Sequence, residues 1–175
     1  VVLGASQGMG LAIAEGLAGE GANVVMFARR ADVIEREAAR FGGLAVAGDL
    51  TSEADLERLV ARTLEAFGGI DIVVLNGGGP PPGPAAAVTA DDITAAVELL
   101  LVPHVRLVGL CLPHRRTSGR GRIVAIESTS VKEPIANLAL SNAVRPGVVG
   151  WLKTLARELG PEGITVNTIA PGRID

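Results

Sequence analysis

The sequence predicts an α/β fold, a parallel sheet with helices on both faces, on three observations. Short β-branched runs alternate with longer segments of helical period along all 175 residues. Hydrophobic residues make up 48% of the chain and aromatics only 2%, so the core is built from Ala, Val, Leu and Ile, which suits strands covered on both sides. Strand and helix follow one another in succession, and right-handed crossovers turn such a succession into one sheet between two helical layers.

The elements read in order. VVL (1–3) is a strand, GMGLAIAEGLAGEG (8–21) a helix, ANVVMF (22–27) a strand, ADVIEREAARFG (31–42) a helix and LAVA (44–47) a strand. The stretch after Thr51 and Ser52 has a capping residue, acids in its first turn, and Leu56, Leu59, Val60, Leu64 and Phe67 at spacings of three and four. These are the marks of an amphipathic helix. IDIVVLN (70–76) is the next strand. GGGPPPGP (77–84) then reads as an interdomain linker or an in-domain loop. The second is preferred, because the alternation continues beyond it: a helical stretch to about Arg116, strand RIVAIE (122–127), a helix around 147–159 and strand ITVNTIA (164–170). One domain over 1–175 is expected, with no repeat of solenoid period.

The formal charge of -3 carries no basic excess, and Arg29-Arg30 and Arg115-Arg116 are too short for a phosphate-tracking stripe, so nucleic acid is not an expected partner. Cys111 stands alone and cannot form an internal disulfide. Without a cationic leader or an apolar run of about 18 residues, the protein is expected to be soluble and cytoplasmic, with no membrane partner. The chain opens on VVL without methionine and stops at PGRID. It is expected to be a fragment lacking the extreme N-terminus and a C-terminal substrate-loop region.

VVLGASQGMG places Gly4, Gly8 and Gly10 between the first strand and helix. Glycines there let backbone approach a ligand and expose helix N-terminal amides, a setting for pyrophosphate. The spacing GxxxGxG differs from the common dinucleotide GxGxxG, and a tight turn without a ligand is the alternative.

Taken with Asp49-Leu50, NGG at Asn76–Gly78, IVAIES and VNTIAPG, the glycine turn resembles the short-chain dehydrogenase/reductase family, in order and separation over essentially the whole chain. The resemblance implies a Rossmann-like, doubly wound fold binding a nicotinamide dinucleotide. It implies phosphate contacts at Gly4, Ser6, Gln7, Gly8, Met9 and Gly10, with Leu3 where the family often has threonine. Asp49 with Leu50 is similar to the family's adenine contact, though a helix-preceding cap is the alternative. Asn76, Gly77 and Gly78 resemble the end of the family's NNAG, with Leu75 for its first asparagine and Gly77 for its alanine, on the ribose side. Pro171, Gly172 and Ile174 resemble the segment beside the nicotinamide amide.

Cofactor choice turns on the end of the second strand, where a carboxylate would accept the ribose 2'-hydroxyl of NAD. Here Ala28 takes that place and Arg29 follows, so a charge-assisted fork to a 2'-phosphate favours NADP(H), with NAD(H) possible. Both arginines solvating a loop is the other reading.

The resemblance also locates an altered reaction centre. Ser128 matches the family's carbonyl-orienting serine, whereas its tyrosine falls on Ser141, its lysine on Arg145 and its asparagine on Leu100; the chain has no tyrosine. Carbonyl reduction needs a hydride at carbon and a proton at oxygen, and a phenol of pKa about 10 beside a cation can be tuned towards neutrality where a serine hydroxyl cannot. Arginine stays protonated, so Arg145 could hold a ribose hydroxyl, an anionic substrate group or an oxyanion but would not relay a proton. Three replacements for the acid stand: Glu127, which strand alternation directs away from Ser128 and which is better read as a structural partner; His104 or His114, better read as packing or surface residues; and water held by Ser128, Ser141 and Arg145. Pro146 predicts that the helix begins or bends there, which leaves a capping serine and a solvated arginine as the alternative for SNAVR.

The resulting expectation is an NADP-dependent oxidoreductase interconverting a small-molecule carbonyl and alcohol, similar to 3-oxoacyl reductases and other carbonyl reductases. A nucleotide-binding module without redox chemistry, or the same fold used for non-redox chemistry, are the alternatives. The apolar face of Val148, Val149, Trp151, Leu152 and Leu155 belongs to a helix that, by resemblance, packs on a partner subunit, implying a homo-oligomer.

Overall fold

A computed structural model describes residues 1–115 and 121–172. Its strands are β1 Val2–Leu3, β2 Val25–Ala28, β3 Leu44–Ala47, β4 Ile72–Leu75, β5 Arg122–Ile126 and β6 Thr165–Ile169. They form one parallel sheet in the order β3-β2-β1-β4-β5-β6. The helices are α1 Gly8–Gly19, α2 Ala31–Ala39, α3 Glu53–Phe67, α4 Ala90–Leu100, α5 Val102–Arg115 and α6 Ala139–Leu159. This is the expected Rossmann-like arrangement. The order reverses between β1 and β4, and a crevice opens beyond the strand ends at such a switch point.

Strand alternation divides the core in two. Val2, Met26 and Val74 face a cluster with Ala14 and Ile34, under α1 and α2. Their neighbours Leu3, Phe27 and Leu75 face the other way, onto Leu56, Leu107 and Leu152 of α3, α5 and α6. Because both faces are covered there, the central strands β1, β2 and β4 read as continuous apolar runs.

Local signals set most boundaries. Ser52 caps α3 by accepting the Asp55 amide at 3.3 Å, and Gly68 ends it at φ 72°. Thr89 and Asp92 form a reciprocal capping box on α4.

Three expectations are corrected. The single helical stretch before Arg116 is two helices, broken at Leu101, since Pro103 has no amide to donate and restricts the residue before it; Arg116 itself lies outside the described residues. The last long helix starts at Ala139, seven residues before Pro146, which sits inside it. Its first turn is secured by the Asn142 amide on the Leu138 carbonyl at 2.9 Å. Finally, Ala90–His114 is long and apolar enough, by length and composition, to cross a membrane, because Glu98 and Arg106 interrupt the apolar run without greatly lowering its mean. In this fold it buries Leu100, Leu107, Val108 and Cys111.

Candidate active site

A groove of about 760 Å³ opens at the carboxyl ends of the central strands. It gathers Gly4, Ser6, Gln7, Gly8, Met9 and Gly10 with Arg29, Arg30, Asp49, Leu50, Asn76, Gly77 and Gly78. Residues remote in sequence but predicted to share a ligand thus meet on one surface. Gln7 begins α1 with no side-chain cap, so the helix's first amides are left for a ligand. Gly4 and Gly8 have φ of 59° and 55°, a backbone region that glycine enters without strain. Gly10 is required by space: a Cβ there would lie 2.3 Å from the Gly4 carbonyl oxygen and 2.8 Å from Asn76 Nδ2. Buried Asn76 donates from Nδ2 to the Leu3 carbonyl at 3.1 Å, which ties the turn to β4.

The groove's far end is basic. Arg30 Nη2 donates to Ser6 Oγ at 3.1 Å and to Gln7 Oε1 at 2.7 Å, bracing the end of β2 against the glycine turn. Arg29 lies near Asp49 and adds to the lowering of its pKa, which comes chiefly from the Thr51 amide and hydroxyl hydrogen bonds at 2.9 and 2.7 Å. Both bonds use Asp49 Oδ1. These residues and the close glycine cradle are chemically suited to a dinucleotide, with cations for phosphate and a carboxylate for an amino group.

Beyond β5 lies the altered centre. Ser128 Oγ accepts the Ser130 amide at 3.2 Å, and the Thr129 amide donates to the Pro171 carbonyl at 3.1 Å. Ser141, third residue of α6, is buried; its Oγ accepts from Arg145 Nε at 3.1 Å and lies 3.4 Å from Ser130 Oγ. Arg145 Nη1 donates to Glu127 Oε2 at 2.8 Å, with side-chain exposures of 11% and 1%. Ser141 is therefore not the helix cap, since Leu138 holds that place, and Arg145 is not solvated. The Pro-rich loop is held alongside: the Gly83 amide donates to the Asn137 carbonyl at 2.8 Å and the Ala139 amide to the Gly83 carbonyl at 3.3 Å.

Sequence reasoning missed three parts of this arrangement. Alternation turns Glu127 away from Ser128 and reads it as a structural partner, but the group it pairs with, Arg145 on α6, is not named by any local signal. Nothing in the sequence marks Ser130, whose Oγ lies 3.4 Å from Ser141 Oγ. In the sequence Arg30 is only a neighbour of Arg29, although its guanidinium makes the bonds to the turn. Leu100 is buried in the core, as expected for a side chain with nothing to donate. Ile174 lies outside the described residues.

Two buried groups near Arg145 are electrostatically costly. Burial pushes the Glu127 carboxyl up, against the pull of Arg145, and its Oε1 has no hydrogen-bond partner among the described residues. His104 is buried with neither ring nitrogen paired among the described residues, and burial, reinforced by the charge of Arg145, lowers it to about 4. An unfolded histidine titrates near pH 6.5. Between these values the unfolded chain binds more protons, so stability is full above about pH 6.5 and falls on acidification towards 4, by about 3 kcal/mol in all. Urea unfolding across this range should show that acid loss, and His104→Leu should flatten it; an unchanged slope in the variant would assign the loss elsewhere.

The sequence profile of the short chain dehydrogenase family matches residues 1–175. The human mitochondrial dehydrogenase/reductase SDR family member 2 is 33% identical over 180 residues, covering 99% of this chain and 64% of that protein. The solved L-sorbose reductase of Gluconobacter frateurii, complexed with NADPH and L-sorbose, superposes with a TM-score of 0.91 at 33% identity, over 98% of this chain and 67% of that one. A 3-ketoacyl-(acyl-carrier-protein) reductase of Brucella melitensis, complexed with NADH, gives 0.90 at 33% identity, over 97% and 72%. The chain belongs to the short-chain dehydrogenase family, and it spans a little under two thirds of the length of the human relative.

Proposed function

We propose that this chain is the nucleotide-binding part of an NADP-dependent reductase that interconverts a small-molecule carbonyl and an alcohol through an altered active site. The observation that carries the reading is the groove in which the glycine turn, Arg29, Asp49 and Asn76 converge. A bound nicotinamide dinucleotide supplies or accepts the hydride. The amides of Ser6 to Gly10 would hold its phosphates, Arg29 with Arg30 its 2'-phosphate, and Asp49 with Leu50 its adenine. Gly77 and Gly78 would line the ribose side, and Pro171 and Gly172 the amide. Relatives solved with NADPH and with NADH support a nicotinamide nucleotide, and the two arginines favour NADP.

In this reading Ser128 orients the carbonyl, Arg145 donates a hydrogen bond, and Ser141 holds Arg145 rather than acting as an acid. The proton then comes from water in the groove. Ser128→Ala should lower turnover about 100-fold, the scale of one lost transition-state hydrogen bond, with NADPH affinity within about twofold of the parent. Steady-state assay of NADPH oxidation over a carbonyl panel checks this, and equal turnover in the variant would remove Ser128 from the centre.

A second reading, a nucleotide-binding module with impaired chemistry, is favoured by Ser141, whose buried hydroxyl is taken up by Arg145. NADPH binding without carbonyl-dependent oxidation would select it. A cytoplasmic homo-oligomer without nucleic acid or membrane partners fits both readings: Val149 and Trp151 stay partly exposed on α6, apolar surface suited to a second copy.

A further inference from the structure

The guanidinium of Arg145 is held from two elements at once. Nε is tied to Ser141 one turn earlier on α6, and Nη1 to Glu127, 18 residues away on the loop after β5. A free arginine side chain rotates about its terminal bonds and carries a full charge. Here both freedoms are curtailed, because two donors are engaged and the carboxylate offsets the charge. The third arm, Nη2, lies beside Gly79, 3.8 Å from where a Cβ on that residue would stand, and Gly79 lines the groove. His104 feels the charge of Arg145, and burial keeps its ring neutral, so it adds no competing cation at neutral pH.

We propose that Glu127 is a positioning residue: it clamps and neutralises Arg145, so that Nη2 is a fixed donor to a neutral hydroxyl or carbonyl oxygen at the Gly79 side of the groove rather than a docking point for a carboxylate. The ligand side of this inference rests on the dinucleotide and carbonyl reading above, whereas the clamp itself does not. A cation without Glu127 would attract anions to the same spot, and its orientation would be set by Ser141 alone. The pair explains why a glutamate follows β5 directly, with Oε2 bonded to the guanidinium.

The test uses the full chain labelled with 15N-arginine and no nucleotide, with the Arg145 guanidinium signals assigned by their loss in Arg145→Lys. Slow rotation about the Cζ–Nε and Cζ–Nη bonds is expected in the parent, with no shift on adding sodium formate. Glu127→Gln should release the rotation and make the signals respond to formate, while Glu127→Asp should keep rotation slow. NADPH dissociation constants should rise about tenfold in Glu127→Gln and less in Glu127→Asp. Freely rotating or formate-sensitive Arg145 in the parent overturns the clamp even if Glu127→Gln fails to fold, whereas released rotation with unchanged NADPH affinity overturns the donor role given to Nη2. If the parent binds no nucleotide, the dinucleotide reading fails while slow, formate-insensitive rotation still supports the clamp.

Discussion

Gly10→Ala should cost the protein most of its nucleotide affinity. The methyl group would lie 2.3 Å from the Gly4 carbonyl oxygen and 2.8 Å from Asn76 Nδ2, and the nearer obstacle is backbone, which cannot swing aside as a side chain can. Relief requires the glycine turn to part from α1 or Asn76 to leave the Leu3 carbonyl. Overpacking of this kind costs about 1–3 kcal/mol, and the displaced amides are those that would face phosphate. We expect NADPH affinity to fall roughly 100-fold, equivalent to about 3 kcal/mol. Gly16→Ala provides the contrast: it lies within α1 with nothing within 4 Å of its Cβ, so removing a helical glycine should stabilise by about 0.5–1 kcal/mol and leave binding unchanged. Parallel thermal unfolding and NADPH titration of both variants checks the pair, and equal behaviour would show that the turn is not the binding element.

The second large effect is thermodynamic. Glu127→Leu leaves the Arg145 guanidinium, 11% exposed, without its carboxylate, and breaking a buried pair from one side costs about 3–5 kcal/mol. Removing both charges, as in Glu127→Leu with Arg145→Met, should recover most of that loss, because the uncompensated charge and not the missing contact is the dominant cost. Urea midpoints for parent, single and double variants measure it. A double variant as unstable as the single would mean that hydrogen bonds through Ser141 and Ser130, not charge, hold the centre together.

How much of this was legible in the sequence depends on the range of the interaction. The strands and α1, α2 and α3 were readable because alternation, period and caps are local, and the groove followed because parallel succession forces the first four strand ends together. Legibility stopped where a local rule met a distant partner. Pro146 argued for a helix start near 147, but bonds before it carry α6 from Ala139. Alternation turns Glu127 away from Ser128, but only the fold shows that its partner is Arg145, 18 residues on. Arg30 and Arg29 are indistinguishable as letters, and only the crossing to Ser6 and Gln7 separates them. Burial of His104 depends on how α5 meets its neighbours, which its own period does not reveal.

The central claim is that the groove binds a nicotinamide dinucleotide and prefers the phosphorylated one. Fluorescence titration of the full-length protein with NADPH and NADH in parallel tests it most directly. The account predicts NADPH binding at least about tenfold tighter than NADH, a preference of about 1.4 kcal/mol that Arg29→Ala with Arg30→Ala abolishes. Binding of neither nucleotide would contradict it and leave the fold without the chemistry argued for its groove.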